Sequence, residues 1–223
     1  MPTLERSGDE FVLDLGDTEN RFHPDWLSAV GAALDEVEGA EGPRALVTTA
    51  TGKFFSNGLD LASLSEHADR RDSYVGTVER LLARVLVLPV VTVAALQGHT
   101  FAAAAMLSLA HDLRVMRADR GFWCLPEAAI GMPFTRGMSA LIQARLPAQT
   151  AHVAMTTAHR YGGGDALTAG IVDHAVPDDA VRGTALDVAT AQAGTAGTTH
   201  ATIKARMYGP VLDLLRDRTD VRA

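Results

Sequence analysis

The sequence predicts an α/β protein whose second half is almost entirely helical. As far as Val115, short apolar runs of strand length alternate with segments of helical periodicity, and this alternation is typical of α/β proteins. After Arg136, the apolar residues recur almost everywhere at helical spacing. A chain of 223 residues with 47% hydrophobic residues is long enough to bury the core of one domain.

The first half of the chain contains most of the predicted strands. A weakly alternating run begins at Phe11, and a run of β-branched and small apolar residues follows Pro89; both patterns predict strands. Pro24 and Gly39 bracket a segment with helical spacing, as expected at the two ends of a helix. The strands predicted in this half are 11–15, 44–49, 90–96 and 113–117, and the helices are 25–37, 73–88 and 102–110.

The second half is divided by proline and glycine residues. Pro147 separates two predicted helices, and Gly170 ends a helical turn that follows a predicted glycine-rich loop at 162–164. A run of small residues near 192–200 indicates a hinge, so we divide the chain into a core, residues 1–192, and a helical tail, residues 193–223. The elements predicted here are helices 136–145, 148–157, 166–170, 181–192 and 201–216 and a late strand at 171–174.

Composition narrows the class of protein. The formal net charge is −7 and no basic run occurs, so we expect no nucleic-acid partner. Cys124 is the sole cysteine, which excludes an internal disulfide and fits a reducing compartment. The chain begins without an apolar signal region, and no apolar run reaches the length of a membrane span, so we predict a cytoplasmic protein with no membrane partner. The eight histidines show no zinc spacing, and no metal is expected.

The chain is organised around residues 89–112, where a buried strand leads through a break into an alanine-rich helix. The break falls at residues 97–99, and four alanines at 102–105 begin the helix. Backbone N–H groups in the first turn of a helix have no intrahelical acceptor, and the helix dipole is positive there. Small side chains would let an oxygen that becomes negative approach those groups. A buried helix packed by small residues explains the same pattern, and the sequence leaves both interpretations open.

Two further stretches could contribute chemistry. In residues 52–64, Gly58 breaks an apolar run, and Asp60 or Ser63 could cap a short helix. Glu127 is the lone acid of an apolar stretch, and burial there would raise its pKa and make it a proton shuttle. The ordinary explanation is a first-turn acid after a proline, and composition does not separate the two.

Taken together, these stretches resemble the crotonase superfamily, also called the enoyl-CoA hydratase/isomerase family. The resemblance covers the chain from about Phe11 to His174. Each motif alone is modest, but four in the order and spacing of the family are specific. They are FSNGLD at residues 55–60, QGHTFAAA at 97–104, Asp112 at the end of that helix, and GIVD at 170–173.

The resemblance implies a crotonase-like ββα superhelix with a helical C-terminal region. It implies an acyl-CoA thioester substrate, no separate cofactor because coenzyme A is part of that substrate, and a homotrimer or dimer of trimers. The backbone N–H groups of Leu59 and Ala103 would form the oxyanion hole for the thioester oxygen. The residues that match segments holding coenzyme A are Asn20, Arg21, Phe22, Ser56, Gly58, Asp60 and Leu61. The predicted acyl pocket consists of Phe101, Met106, Trp123 and Met132.

One departure from the family pattern bears on the reaction. Hydratases of this family use two glutamates, whereas this chain has Met106 at the first position and Glu127 at the second. Moving a double bond needs one shuttling base, so the pattern is similar to the Δ3,Δ2-enoyl-CoA isomerase branch of fatty acid metabolism. The hypothesis is that Glu127 removes a proton from C2 of a 3-enoyl-CoA and returns it to C4. Two alternatives stay open: a hydratase or other crotonase reaction that uses Glu66 or Asp69, and a non-catalytic acyl-CoA-binding member.

Overall fold

Two β-sheets organise the protein, of which a computed structural model describes residues 1–66 and 70–217. The strands are β1 (Thr3–Ser7), β2 (Glu10–Asp14), β3 (Ala45–Thr49), β4 (Phe54–Ser56), β5 (Val91–Leu96), β6 (His99–Phe101), β7 (Leu113–Arg117), β8 (Trp123–Cys124) and β9 (His174–Val176). The larger sheet has the order β1-β2-β3-β5-β7-β9, with β1 antiparallel to β2 and all other neighbours parallel. The smaller sheet is parallel, in the order β4-β6-β8.

Each strand of the smaller sheet follows a strand of the larger sheet, and a helix follows each such pair. The chain therefore repeats a strand–strand–helix unit through β3-β4, β5-β6 and β7-β8. The helices are α1 (Pro24–Gly39), α2 (Leu61–Glu66), α3 (Arg71–Leu86), α4 (Ala103–Ala110), α5 (Glu127–Ile130), α6 (Arg136–Arg145), α7 (Ala148–Thr157), α8 (Gly163–Thr168), α9 (Asp178–Thr190), α10 (Thr198–Met207) and α11 (Gly209–Arg216).

Hydrophobic side chains cover both faces of the larger sheet. On one face, α9 packs Val181, Ala185 and Ala189 against the strands. The main core lies on the other face, where it includes Trp26 of α1, Leu82 of α3 and the apolar residues of α4. Because parallel strands covered on both faces have no solvated side, β3 and β5 are buried at every position.

Elements with strong periodicity lie where the sequence predicts them. Helices α6 and α7 and strand β7 have the predicted bounds, and α1, α3, β2, β3 and β5 begin and end within two residues of theirs. The sequence analysis did not predict β1 or the smaller sheet. The strands of that sheet have three residues or fewer, which is too short to display an alternating pattern, and they depend on pairing with neighbours that are distant in the chain.

The late strand and α8 differ from their predicted bounds. The strand is His174–Val176 rather than 171–174, because the preceding residues close the end of α8. The Ile171 N–H donates to the Ala166 carbonyl, so this part of the chain is a helix-terminating turn. The glycine run that was predicted as a loop continues into α8, which begins at Gly163.

The tail consists of two helices rather than the single helix predicted for residues 201–216. Pro210 lies in the first turn of α11, and its missing N–H and its ring prevent α10 from continuing through it. Before α10, the Gly197 N–H donates to the Pro89 carbonyl at 2.7 Å and thereby attaches the small-residue segment to the core. The division into a core and a tail at residue 192 stays a prediction.

A buried ion pair joins the tail to the end of α4. Lys204 Nζ lies 2.9 Å from Asp112 Oδ2, and Lys204 is 5% exposed. The same Asp112 oxygen accepts hydrogen bonds from the Thr92 N–H and hydroxyl. Burial lowers the pKa of Lys204, and the adjacent Asp112 opposes this effect. An ammonium group buried to this extent depends on its carboxylate partner.

We expect Asp112→Asn to lower the free energy of unfolding by about 3 kcal/mol, because it leaves the Lys204 ammonium buried without a counter-charge. Urea-induced unfolding followed by circular dichroism measures the change. The double variant Asp112→Asn/Lys204→Met removes the uncompensated charge and should recover most of the lost stability. A double variant no more stable than Asp112→Asn would contradict this account of the ion pair.

Candidate active site

A cavity of about 240 Å³ lies beside the start of α4. The loop before α2, the helices α2, α3 and α5, and the start of α6 contribute its other walls. Charged groups on this lining, within the part of the chain that the structure describes, are limited to Arg21, Arg71 and Glu127. The predicted site residues that line the cavity are Arg21, Leu59, Leu61, Phe101, Ala103, Met106, Glu127 and Met132.

The loop that carries Leu59 closely approaches the start of α4. A Cβ at Gly58 would lie 3.0 Å from the Ala103 nitrogen and 2.8 Å from the Phe101 carbonyl oxygen, so a side chain has no space there. Gly58 also has a φ of +77°, which L side chains rarely adopt. Neither the Leu59 N–H nor the Ala103 N–H donates to an acceptor among the described residues. Two backbone donors without acceptors on the wall of one cavity can donate hydrogen bonds to a negatively charged oxygen.

Hydrogen bonds attach this loop to the segment before α1. The Ser56 hydroxyl donates to the Asn20 carbonyl at 2.7 Å and accepts from the Gly58 N–H at 3.1 Å. The Asn20 amide donates to the Phe55 carbonyl, and the Phe22 N–H donates to the Gly58 carbonyl at 2.9 Å. Asn20, Phe22 and Ser56 are buried and are not among the lining residues. In the structure, these three residues therefore orient the loop that bears the Leu59 donor.

Asp60 caps α2, as the sequence predicts for either Asp60 or Ser63. Its Oδ1 accepts a hydrogen bond from the Ser63 N–H at 3.3 Å. The Asp60 N–H donates to the Tyr74 hydroxyl, which in turn donates to the Phe22 carbonyl. Burial raises the pKa of Tyr74 to about 12, so this hydroxyl retains the proton that it donates. The chain is thus fixed immediately before Leu61, which lines the cavity.

Ala102 holds a strained backbone conformation where β6 turns into α4. Its φ is +53° and its ψ is −126°, a region that costs a residue other than glycine on the order of 1–3 kcal/mol. The Ala102 N–H donates to the Cys124 carbonyl, and the Ala102 carbonyl accepts from the Met106 N–H. These bonds hold the turn in place, and Ala103 becomes the first residue of the helix.

Glu127 is buried in the cavity wall as the first residue of α5. It is 7% exposed, and its Oε2 has no hydrogen-bond partner among the described residues. Burial raises the pKa of Glu127 to about 7. Glu127 is therefore a first-turn acid that is also buried, and its role as a proton shuttle stays a prediction. A carboxyl group with this pKa can accept and return a proton near neutral pH.

The structure places three of the four predicted acyl-pocket residues at the cavity. Phe101, Met106 and Met132 line the cavity. Trp123 is fully buried in the core instead, where its Nε1–H donates to the Ser108 hydroxyl at 3.0 Å. An aromatic residue shortly before Glu127 in the sequence could belong either to the pocket or to the core, and the sequence pattern is the same in both cases.

The sequence analysis did not identify lining residues from α3 and from the turn before α6. Arg71 begins α3, and Thr135 is the N-cap of α6, where its hydroxyl oxygen accepts from the Met138 N–H at 3.1 Å. The Thr135 hydroxyl also donates to the buried Glu79 of α3. A threonine before a helical run is a signal for an N-cap, but its place at the cavity depends on how α6 packs, which no local pattern reveals.

Comparison with known proteins identifies this arrangement. The family model described as enoyl-CoA hydratase/isomerase matches residues 12–221. The chain belongs to the enoyl-CoA hydratase/isomerase family. This confirms the crotonase resemblance drawn from the motifs, and with it the α/β fold of repeated ββα units followed by helices.

Relatives in the enoyl-CoA hydratase/isomerase family match along nearly the whole chain. Enoyl-CoA delta isomerase 2, peroxisomal, from Arabidopsis thaliana is 36% identical over 100% of this chain and 98% of its own length. Enoyl-CoA delta isomerase 3 from the same plant is 37% identical over 93% of this chain and 92% of its own. The apo structure of an enoyl-CoA isomerase from Mycobacterium tuberculosis has a TM-score of 0.90 at 28% identity and covers 98% of this chain and 96% of its own.

Two further properties of the described residues bear on ligands and location. They include no helix long and apolar enough to cross a membrane. They also contain no group of three or more His, Cys, Asp or Glu side chains that could hold a metal ion. One of the plant relatives is peroxisomal, and the cytoplasmic location expected for this chain stays a prediction.

Replacing Glu127 with glutamine should stabilise the protein at alkaline pH. The pKa of Glu127 is raised from 4.5 to about 7, so the cost of burying its ionised form is absent below about pH 4.5 and complete above about pH 7. A shift of this size corresponds to about 3 kcal/mol. Urea unfolding should show Glu127→Gln more stable than the wild type by up to about that amount near pH 8, with little difference near pH 4.5. An equal difference at both pH values would contradict a buried ionisable carboxyl group.

Ala102→Gly should raise the free energy of unfolding by about 1 kcal/mol, because glycine adopts a positive φ without strain. The matched control is Ala104→Gly inside α4, which should lower it by about 1 kcal/mol because glycine disfavours a helix interior. Urea unfolding of both variants beside the wild type tests the opposite signs. Equal destabilisation by the two substitutions would show that Ala102 is not strained.

Proposed function

We propose that the protein is a Δ3,Δ2-enoyl-CoA isomerase that uses Glu127 as its proton shuttle. The observation that carries this proposal is that Glu127 is the sole carboxylate among the described residues that line the cavity. Met106, at the position of the first glutamate of family hydratases, also lines the cavity and cannot exchange a proton. The relatives named enoyl-CoA delta isomerase support the same class of reaction.

The proposed reaction transfers one proton from C2 to C4 and shifts the C3–C4 double bond to C2–C3. Ionised Glu127 takes a proton from C2, and the electrons of that C–H bond form a C1–C2 double bond while the thioester oxygen becomes negative. The N–H groups of Leu59 and Ala103 stabilise this oxygen. The oxygen then re-forms its double bond to C1, the C1–C2 pair moves to C2–C3, and the C3–C4 pair takes the proton from Glu127 at C4. The product is the conjugated 2-enoyl-CoA, and Glu127 is ionised again.

The electrostatics of the cavity suit this sequence of steps. A pKa of about 7 for Glu127 leaves a large share of the group ionised at neutral pH and keeps the proton available for return. An oxyanion-hole donor contributes about 2.7–4 kcal/mol to stabilising the transition state. Both effects strengthen inside a mainly apolar lining, because little water is present to screen them.

The remaining lining residues suit an acyl-CoA thioester. Arg21 and Arg71 bring positive charge to the cavity, where coenzyme A would bring phosphate groups. Phe101, Met106 and Met132 provide an apolar surface for the acyl chain. Coenzyme A belongs to the substrate in this proposal, so the reaction proceeds without a separate cofactor. The homotrimer or dimer of trimers implied by the resemblance is part of the same proposal.

The hydratase alternative differs by needing a second carboxylate. The sequence analysis named Glu66 and Asp69 for that role; Asp69 and the side chain of Glu66 lie outside the described residues. Hydration adds water to a 2-enoyl-CoA and removes its conjugated absorbance, whereas isomerisation of a 3-enoyl-CoA creates that absorbance. The two reactions therefore change one optical signal in opposite directions.

Turnover of 3-hexenoyl-CoA, followed as growth of the conjugated enoyl thioester absorbance, tests the proposal. Glu127→Gln should lower kcat by about 10²–10⁴-fold, because the amide has the same size but cannot accept the C2 proton. Its affinity for the CoA thioester, measured by calorimetry, should stay near that of the wild type. Glu36→Gln, on an exposed position of α1, is the matched control and should retain wild-type turnover.

Unchanged turnover in Glu127→Gln would refute the mechanism. A second contrary result is that the wild type removes the conjugated absorbance of 2-hexenoyl-CoA and fails to turn over 3-hexenoyl-CoA. That result would favour the hydratase alternative over the isomerase. Tight binding of both thioesters with no turnover of either would favour the non-catalytic binding protein.

A further inference from the structure

One face of the smaller sheet carries a group of aromatic rings centred on His99. The His99 ring lies 5.4 Å from the ring of Phe54, 5.0 Å from that of Phe101 and 5.8 Å from that of Phe122, centre to centre. These positions share one face because β4 and β6 pair at Phe54 and His99 and because side chains alternate along a strand. Phe122 is 39% exposed, so the edge of this group is open to a ligand.

Three cations surround these rings. The Lys53 ammonium and the Arg160 guanidinium lie 5.3 and 5.7 Å from the centres of neighbouring phenylalanine rings, within the range of cation–π attraction. Together with Arg120 they act on His99 and, after burial, lower its pKa. All three are exposed.

These cations form no ion pair with a carboxylate within residues 1–66 and 70–217, and Asp119, which acts electrostatically on Arg120, is itself paired with Arg117. The ion pairs in that part of the chain involve other basic residues. The chain has 27 acidic and only 20 Lys and Arg residues, so a patch of three unneutralised cations runs against its overall charge. Local excess of this kind attracts anions from solution.

A buried polar atom lies within the same group. The His99 Nδ1 is buried and has no hydrogen-bond partner among the described residues. Buried polar atoms in folded proteins nearly always have a partner, so a nitrogen without one in the protein is suited to accept a hydrogen bond from, or donate one to, a bound ligand or water. Rings, cations and this ring nitrogen therefore converge on one surface.

We propose that this surface, formed by Lys53, His99, Arg120, Phe122 and Arg160, binds a nucleoside diphosphate. Stacked aromatic rings accept a planar base, and base–aromatic stacking tolerates any base identity. Lysine and arginine side chains bind phosphates, and the guanidinium group of arginine can form bidentate hydrogen bonds with them. A simple anion would make no contact with Phe122, and an uncharged aromatic ligand would not neutralise the three cations. A nucleotide has both an aromatic base and negatively charged phosphates, so it fits both features.

The surface is separate from the isomerase cavity. None of its five residues lines that cavity, and Phe101 is the ring that lies between the two. We assign to this surface a free nucleotide and not the nucleotide end of coenzyme A, because the proposed substrate already has cationic side chains, Arg21 and Arg71, at the cavity.

Calorimetric titration with ADP tests the proposal on the full chain. ADP should bind the wild type, and Phe122→Ala should weaken it about tenfold because a base loses its stacking partner. Arg120→Gln/Arg160→Gln should weaken it at least as much, and added salt should weaken wild-type binding more than that of this variant. Arg182→Gln, on an exposed position of α9 outside both sites, is the matched control and should leave ADP affinity unchanged.

Coenzyme A is titrated into the same variants to identify the source. Coenzyme A affinity that falls with ADP affinity in Arg120→Gln/Arg160→Gln would assign the surface to the acyl-CoA substrate and would overturn the proposal of a separate nucleotide site. Coenzyme A affinity that stays constant while ADP affinity falls supports the site and assigns it to a free nucleotide.

The following results would overturn the proposal. They are no ADP binding to folded wild type, equal ADP affinity in the wild type and both surface variants, and a loss of ADP affinity in Arg182→Gln as large as that in the surface variants. Sedimentation of each variant is measured in parallel. A surface variant that dissociates an oligomer without changing ADP affinity would assign the surface to contact between copies of the chain and would equally overturn it.

Discussion

The rest of the structure depends on one constraint. Helix α4 begins in the protein interior, and its first backbone N–H groups have no acceptor among the described residues. Every residue of α4 is buried, so the protein rather than water has to satisfy the end groups of this helix. At the far end, Arg145 donates to the carbonyls of Leu109, His111 and Asp112 and places a cation where the helix dipole is negative. The near end, beside Leu59, has no such partner among the described residues, and in the proposed reaction the thioester oxygen would take that place. The parallel strands on either side hold both ends of α4 at fixed positions.

The cavity contains two features that oppose stability, and both are tied to its chemistry. Ala102 has a positive φ where the chain enters α4, and Glu127 is buried with one oxygen unpartnered. Such departures from local preference are expected at functional sites and are carried by the surrounding structure. Here that structure is the continuous core around α1, α3 and α4, which is large enough to hold both features. Rigidity of the core and reactivity of the cavity therefore arise from the same packing.

Sequence patterns predict the long elements and the chemistry of single residues, but not which distant segments meet. The periodic runs of α6 and α7 and the apolar setting of Glu127 are local, so the sequence reveals them directly. The smaller sheet escapes detection because its strands, such as Phe54–Ser56, form through pairing with chain segments far away. For the same reason the sequence placed Trp123 in the acyl pocket and overlooked Thr135. Their positions follow from how β8 and α6 pack, and residue type alone does not encode that packing.

The wall of the cavity includes three methionines, Met106, Met132 and Met138. Methionine side chains are unbranched and polarizable, so they can rearrange around acyl chains of different shape without a large change in energy. The same thioethers are open to oxidation, which would convert an apolar wall into one bearing sulfoxide dipoles. Under the proposed function, such a wall would adapt to acyl chains of different length and not select one strictly, and oxidation of its methionines would change that adaptability.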